Sequence, residues 1–141
     1  TAPDVLVITN SIDIAATLAD APGASLVVVG GDLRKETAAL VGPLAERVLH
    51  DIRVHRAFLG VSALCAHRGM STGSLVEAQL KRAVIACAKQ VVGLLDHTKF
   101  GLEAFAFVAP TSALDVVVTD AEAPPADVKL LEEQGVTVML A

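Results

Sequence analysis

Short runs of consecutive apolar residues constrain most strongly what this chain can fold into. Val5–Ile8, Leu26–Val29, Val91–Leu95 and Val116–Val118 are each strand-sized and rich in β-branched residues. They are continuous rather than alternating, and a strand that is apolar at every position needs cover on both faces. Stretches with helical spacing separate them. The alternation predicts an α/β fold, a mainly parallel sheet with helices on both faces. In such sheets ligands bind beyond the carboxyl ends of the strands. That rule selects Thr9-Asn10-Ser11, Gly30-Gly31, Gly60–Ser62, Asp96–Lys99 and Thr119-Asp120.

The elements follow in order. A strand over Val5–Thr9 leads into a helix over Ser11–Ala19, with Asn10 or Ser11 as its N-cap. Ser25–Val29 is a strand ending at Gly30-Gly31, and Pro43–Leu49 a short helix with Pro43 in its first turn. Val54–Leu59 is a strand running into Gly60. Ser62–Gly73 lacks periodicity and reads as a loop of about 12 residues, a length at which function is suspected. Ser74–Lys89 is the most regular helix, with Val76, Leu80, Ala83, Val84 and Cys87 at helical spacing and Ser74 as its cap. Gln90–Leu95 is a strand, Asp96–Glu103 a polar loop, and Phe105–Ala109 and Asp115–Thr119 are strands. A helix over Asp127–Gln134, closed by Gly135, precedes a last strand at Thr137–Leu140. No internal repeat or linker interrupts the series, so residues 1–141 are expected to form one domain.

Composition narrows the function classes. With 11 Lys and Arg against 16 Asp and Glu, the net charge is -5. A chain so acidic, its basic residues scattered, is a poor nucleic-acid binder on its own. No apolar stretch approaches the roughly 20 residues of a membrane helix, and no signal-peptide pattern is present. Cys65 and Cys87 lack CxxC spacing, which points to buried thiols in a reducing compartment. The chain starts at Thr1 rather than Met and reads as a trimmed piece of a longer protein.

Several residues could carry chemistry. Thr9, Asn10 and Ser11 offer two hydroxyls and an amide at a helix start, which suits an anion and equally suits plain capping. Gly30 and Gly31 permit close approach of a ligand or of another backbone segment, with Asp32, Arg34 and Lys35 nearby. Neither a Walker A loop nor GxGxxG is present. Glu77 and Lys81 lie four apart on one helical face. They read either as an i,i+4 pair worth about 0.2–0.5 kcal/mol or as residues pointing into a crevice, Glu77 as a hydroxyl acceptor or base and Lys81 as a phosphate-binding cation. Asp96 follows a buried strand and is either a ligand contact or a turn former; Lys99 accompanies it. His50, His55, His67 and His97 have no metal-ligand spacing, so no metal or cofactor is expected.

Taken together, Thr9-Asn10-Ser11, Gly30-Gly31-Asp32-Leu33-Arg34, Val41-Gly42-Pro43-Leu44-Ala45, Ala57-Phe58-Leu59-Gly60-Val61, Glu77-Ala78 with Lys81-Arg82, Asp96 with Lys99-Phe100-Gly101, and the Asp115–Asp120 segment occur in a known order and spacing. In these the chain resembles the C-terminal effector-sensing domain of DeoR-type bacterial transcriptional repressors over nearly its whole length. The resemblance implies a fold similar to ribose-5-phosphate isomerase and CoA-transferase folds. It implies a cytoplasmic, homo-oligomeric, non-enzymatic sensor that binds a phosphorylated sugar or related metabolite. DNA would be bound through an N-terminal winged helix-turn-helix that this chain lacks. By the same resemblance Thr9, Asn10 and Ser11 cradle a phosphate or hydroxyl, Gly30 and Gly31 admit the ligand, and Glu77, Lys81, Asp96 and Lys99 line the pocket. A first strand with a Gly-Thr-Thr-like loop would precede Thr1. His55 and Ala63 depart from the family's usual Asp and Gly. The alternative is a sugar-phosphate isomerase on the same fold, with Glu77 or Asp96 as base and Lys81 or Lys99 steadying an enediolate.

Overall fold

A computed structural model describes residues 4–141. Its contacts divide the chain into two compact units, one ending at Asp51 and one running from Ile52 to Ala141.

In the first unit, strand β1 (Val5–Thr9) pairs in parallel with β2 (Ala24–Val28) across helix α1 (Ile12–Leu18). Ser11 caps α1, its Oγ accepting the Ile14 N–H at 3.2 Å. The charged segment after Gly31 is an antiparallel hairpin of β3 (Asp32–Arg34) and β4 (Ala39–Val41). Gly31 makes the hairpin possible: a Cβ there would lie 2.4 Å from the Val41 carbonyl oxygen. Helix α2 (Pro43–His50) follows, with Pro43 at its start, where its missing N–H costs nothing.

The second unit is built on a four-stranded parallel sheet in the order β11 (Thr137–Leu140), β10 (Val116–Thr119), β8 (Ala88–Leu94), β5 (Val54–Gly60). Helix α3 (Leu75–Cys87) carries the chain from β5 to β8, and α4 (Pro125–Glu133) from β10 to β11. The α/β class is the one the apolar runs predict, but of those runs only Val91–Leu95 and Val116–Val118 fall in this sheet. Val5–Ile8 and Leu26–Val29 belong to the separate β1–β2 pair, whose strands hold no buried residue. Leu59, Gly93, Val117 and Val138 form one lateral row. Leu59, Val117 and Val138 of that row join Leu64, Met70, Leu114 and Leu131 in or against the core. Burial on both faces holds for Val91–Gly93 in β8, whereas in β5 Ala57 and Leu59 are buried while Phe58 is exposed. The reason is position: β8 has a strand on either side, while β5 is at the edge of this sheet. Helix α4 ends in a Schellman turn. The Val136 N–H reaches the Leu131 carbonyl and the Gly135 N–H that of Glu132, both at 3.0 Å, with Gly135 at φ +87°.

The segment expected to be a loop at Ser62–Gly73 is instead a hairpin. Strands β6 (Ala63–Cys65) and β7 (Gly69–Thr72) pair antiparallel, and β7 also pairs with β9 (Ala106–Ala109). Strands of three and four residues are too short to show a period, which is why the pattern was silent. The hairpin contributes to the core: all four residues of β7 are buried, and Met70 is among the core residues.

Candidate functional site

Several polar side chains of the second unit meet at the carboxyl edge of the parallel sheet. At the end of β5, Lys81 reaches from α3 to donate from Nζ to the Gly60 carbonyl at 2.8 Å and to Ser62 Oγ at 3.4 Å. Ser62 Oγ lies 3.4 Å from Thr72 Oγ1, which donates to Glu77 Oε2 at 3.5 Å. Ser74 Oγ donates to the same Glu77 oxygen at 3.4 Å and accepts the Glu77 N–H at 3.2 Å. Ser62, Thr72, Ser74, Glu77 and Lys81 therefore form one continuous polar chain.

Each member is there for a local reason. Ser74 and Glu77 stand at the N-cap and N3 positions of α3, the spacing of a capping box. One helical turn further, Lys81 shares their face. Thr72, only 2% exposed, enters from the end of β7. Burial pushes the Lys81 ammonium below its usual pKa, and the Glu77 charge partly opposes this. The arrangement gathers a half-buried cation, a carboxylate and three hydroxyls around the first two turns of α3, a set able to bind a phosphorylated, hydroxylated ligand. Arg82, next to Lys81, points elsewhere and donates to the Phe107 carbonyl of β9 at 2.7 Å.

Beyond β8, Asp96 begins a single 3-10 turn, His97–Lys99. Its Oδ1 accepts the Thr98 N–H at 2.8 Å and also the Thr98 hydroxyl. These bonds hold the Asp96 carboxyl below the usual carboxylate range, helped by the nearby Lys99 and His97 charges. Asp96 is thus a turn former, and the turn carries it and Lys99 beyond a strand that neighbours β5. Its ring nitrogens place His97 between Asp120 Oδ2, 3.1 Å from Nδ1, and Glu122 Oε2, 3.3 Å from Nε2. Among the described residues these three are a group whose donor atoms converge as a metal site would require. Carboxylates already face both ring nitrogens, an arrangement suited to a protonated imidazole. Sequence spacing missed this convergence because positions 97 and 120 meet only through the pairing of β8 with β10.

In the first unit, Thr9 and Ser11 are engaged locally, and Asn10 reaches the hairpin. Thr9 Oγ1 accepts the Ser11 N–H at 3.1 Å, and Asn10 Nδ2 donates to the Leu40 carbonyl at 2.9 Å. The close approach at Gly31 is that of Val41, whereas Gly30 faces open space on its Cβ side. The residues that sequence reasoning passed over are Thr72 and Ser74 as members of the polar chain. Thr72 lay within the segment read as a loop, and Ser74 was read as a cap alone.

Residues 1–121 match the DeoR C terminal sensor domain, and the chain belongs to that family. It is 34% identical over 139 residues to the HTH-type transcriptional repressor GlcR of Bacillus subtilis (strain 168), covering 99% of this chain and 54% of that protein. Identity is 33% over 135 residues with the HTH-type transcriptional regulator GlpR of Haloferax volcanii, covering 96% and 52%. With the glycerol-3-phosphate regulon repressor of Escherichia coli (strain K12) it is 26% over 134 residues, covering 95% and 53%. The chain spans about half the length of these curated relatives. Among the described residues no helix is long and apolar enough to cross a membrane.

Proposed function

We propose that this chain is the effector-binding part of a cytoplasmic, homo-oligomeric transcriptional repressor, and that its effector is a phosphorylated sugar or a related phosphorylated metabolite. The observation that carries the reading is the polar chain from Lys81 through Ser62 and Thr72 to Glu77, at the edge where α/β sheets bind ligands. An ammonium has three N–H donors, so a phosphate oxygen can join the Gly60 and Ser62 acceptors already around Lys81. Glu77 accepts from a ligand hydroxyl as it does from Thr72 and Ser74. Asp96 and Lys99 supply further contacts from the neighbouring turn. In the first unit, Thr9, Asn10, Ser11, Gly30 and Gly31 are further ligand-binding positions in this reading.

The names of the relatives support this reading. One is a regulon repressor named for glycerol 3-phosphate, and GlcR and GlpR are also transcriptional regulators, which favours a sensor over an isomerase. DNA binding belongs to a winged helix-turn-helix outside this chain. The effector acts by binding one conformation better than another, which shifts operator affinity by that difference.

A thermal-shift titration tests the reading. Glucose 6-phosphate, fructose 6-phosphate and glycerol 3-phosphate are compared with glucose, fructose and glycerol, in the wild type and in Lys81→Ala. A ligand at 100 times its Kd adds about 2.7 kcal/mol, a shift of several degrees. The expected result is a phosphate-dependent shift that Lys81→Ala abolishes. No shift from any phosphorylated compound, or aldose–ketose turnover of one of them, would sink the assignment.

A further inference from the structure

One carboxylate joins the two loops that leave adjacent strands at the sheet's carboxyl edge. Asp120 Oδ2 accepts the His97 backbone N–H at 2.9 Å and lies 3.1 Å from His97 Nδ1. Asp120 Oδ1 accepts the Glu122 N–H at 2.9 Å. A carboxylate offers about four acceptor positions, and three of these are spent between the loop after β8 and the loop after β10. The turn at His97–Lys99 is consequently held twice. Asp96 closes it from within through Thr98, which fixes its shape but not its direction. Asp120, anchored at the end of β10, sets its direction relative to the sheet.

We propose that Asp120 is the positioning residue of the effector site, with His97 as the arm through which it holds the Asp96–Lys99 turn in the geometry that meets the ligand. This rests on the reading above that Asp96 and Lys99 contact the effector. Contact of both imidazole nitrogens with carboxylates makes the hold sensitive to protonation. The Asp120 bond raises the His97 pKa above 6.5, burial opposes, and the charges of Asp120, Glu122 and Asp96 add to the rise. A raised folded-state pKa means that the contribution is fully present below the unfolded value. It is lost as pH rises through the folded one. Neutral imidazole keeps one N–H for Asp120 and releases Glu122, so the hold weakens without vanishing.

Asp120→Asn and the milder His97→Gln test this in the intact protein by two independent readings. In the first, NMR follows the His97 ring titration and the exchange of the His97 and Thr98 amides. Asp120→Asn is expected to move the ring pKa down toward 6.5 and to speed exchange in the turn at least tenfold, while the Leu131 amide in α4 is unchanged. In the second, binding of glucose 6-phosphate, fructose 6-phosphate and glycerol 3-phosphate is measured across pH. Any that binds the wild type is expected to bind Asp120→Asn at least tenfold more weakly, with His97→Gln between. Wild-type affinity should fall with pH relative to His97→Gln, a difference that cancels the phosphate's own ionisation near pH 6. Unchanged exchange in the turn overturns the proposal, whatever binds. A loosened turn with unchanged binding also overturns it, leaving Asp120 a purely structural clamp. If no probe binds the wild type while the turn loosens, the sensor reading itself has failed, and the positioning role falls with it.

Discussion

Individual residues here serve purposes their types did not settle. Gly30 and Gly31 are adjacent and identical in sequence, yet they differ in what holds them. At Gly31 a side chain would meet the Val41 carbonyl oxygen, whereas nothing lies within 4 Å of the place a Cβ would occupy on Gly30. Gly31→Ala is therefore expected to destabilise the protein by about 1–3 kcal/mol and Gly30→Ala by a few tenths at most. Urea unfolding midpoints of the two variants check this, and equal midpoints would remove the argument from close approach. Asp96 is a similar case: both the turn former and the ligand contact were readable in the sequence. The structure displays the former, in the bond to Thr98, and leaves the latter to the titration proposed above. Lys81 was legible as a cation on the face of Glu77, but not as a donor to Gly60, which is 21 positions away.

At the scale of elements, local chemistry predicted the helices and the apolar strands well, the four-residue β9, β10 and β11 among them, and the two hairpins poorly. Helix α3 was legible because its cap, its N3 carboxylate and its apolar spacing agree. The structure confirms Ser74 as the cap and starts the helix at Leu75. Ser74→Ala removes the acceptor of the Glu77 N–H and is expected to cost about 1 kcal/mol. It also frees the Glu77 carboxylate from one of its hydroxyl partners, so effector affinity should change alongside the unfolding midpoint. Ser74→Asp, which keeps a capping oxygen, should restore stability while adding a charge beside Glu77 that depresses affinity. A loss of affinity in Ser74→Ala that Ser74→Asp reverses together with the unfolding midpoint would instead assign the effect to the helix alone. The two hairpins, β3 with β4 and β6 with β7, escaped notice. Their strands are three or four residues long and, unlike β10, most lack a β-branched apolar run to mark them, and their stability comes from partners elsewhere, as when β7 pairs with β9.

For the molecule as a whole, charge and length decide what the chain can do by itself. A net charge of -5 with dispersed basic residues offers no phosphate-binding track. Fluorescence anisotropy with a labelled operator duplex at physiological salt is expected to show no binding by this chain, with or without a phosphorylated ligand. Saturable binding would contradict the assignment of DNA recognition to a segment outside it.

The sequence by itself determined the α/β class, the order and approximate limits of the longer elements, the family, and the edge at which to look for a ligand. Those follow from apolar runs, caps and motif spacing, all local or nearly so. Only the tertiary structure decided that Lys81 meets Ser62 and Gly60, that Thr72 links Ser62 to Glu77, and that Asp120 holds His97. Each of those contacts joins different elements, mostly across ten to more than twenty positions of chain, through strand pairing and helix docking. Burial and register bring such residues together, and neither has a local pattern from which to be read.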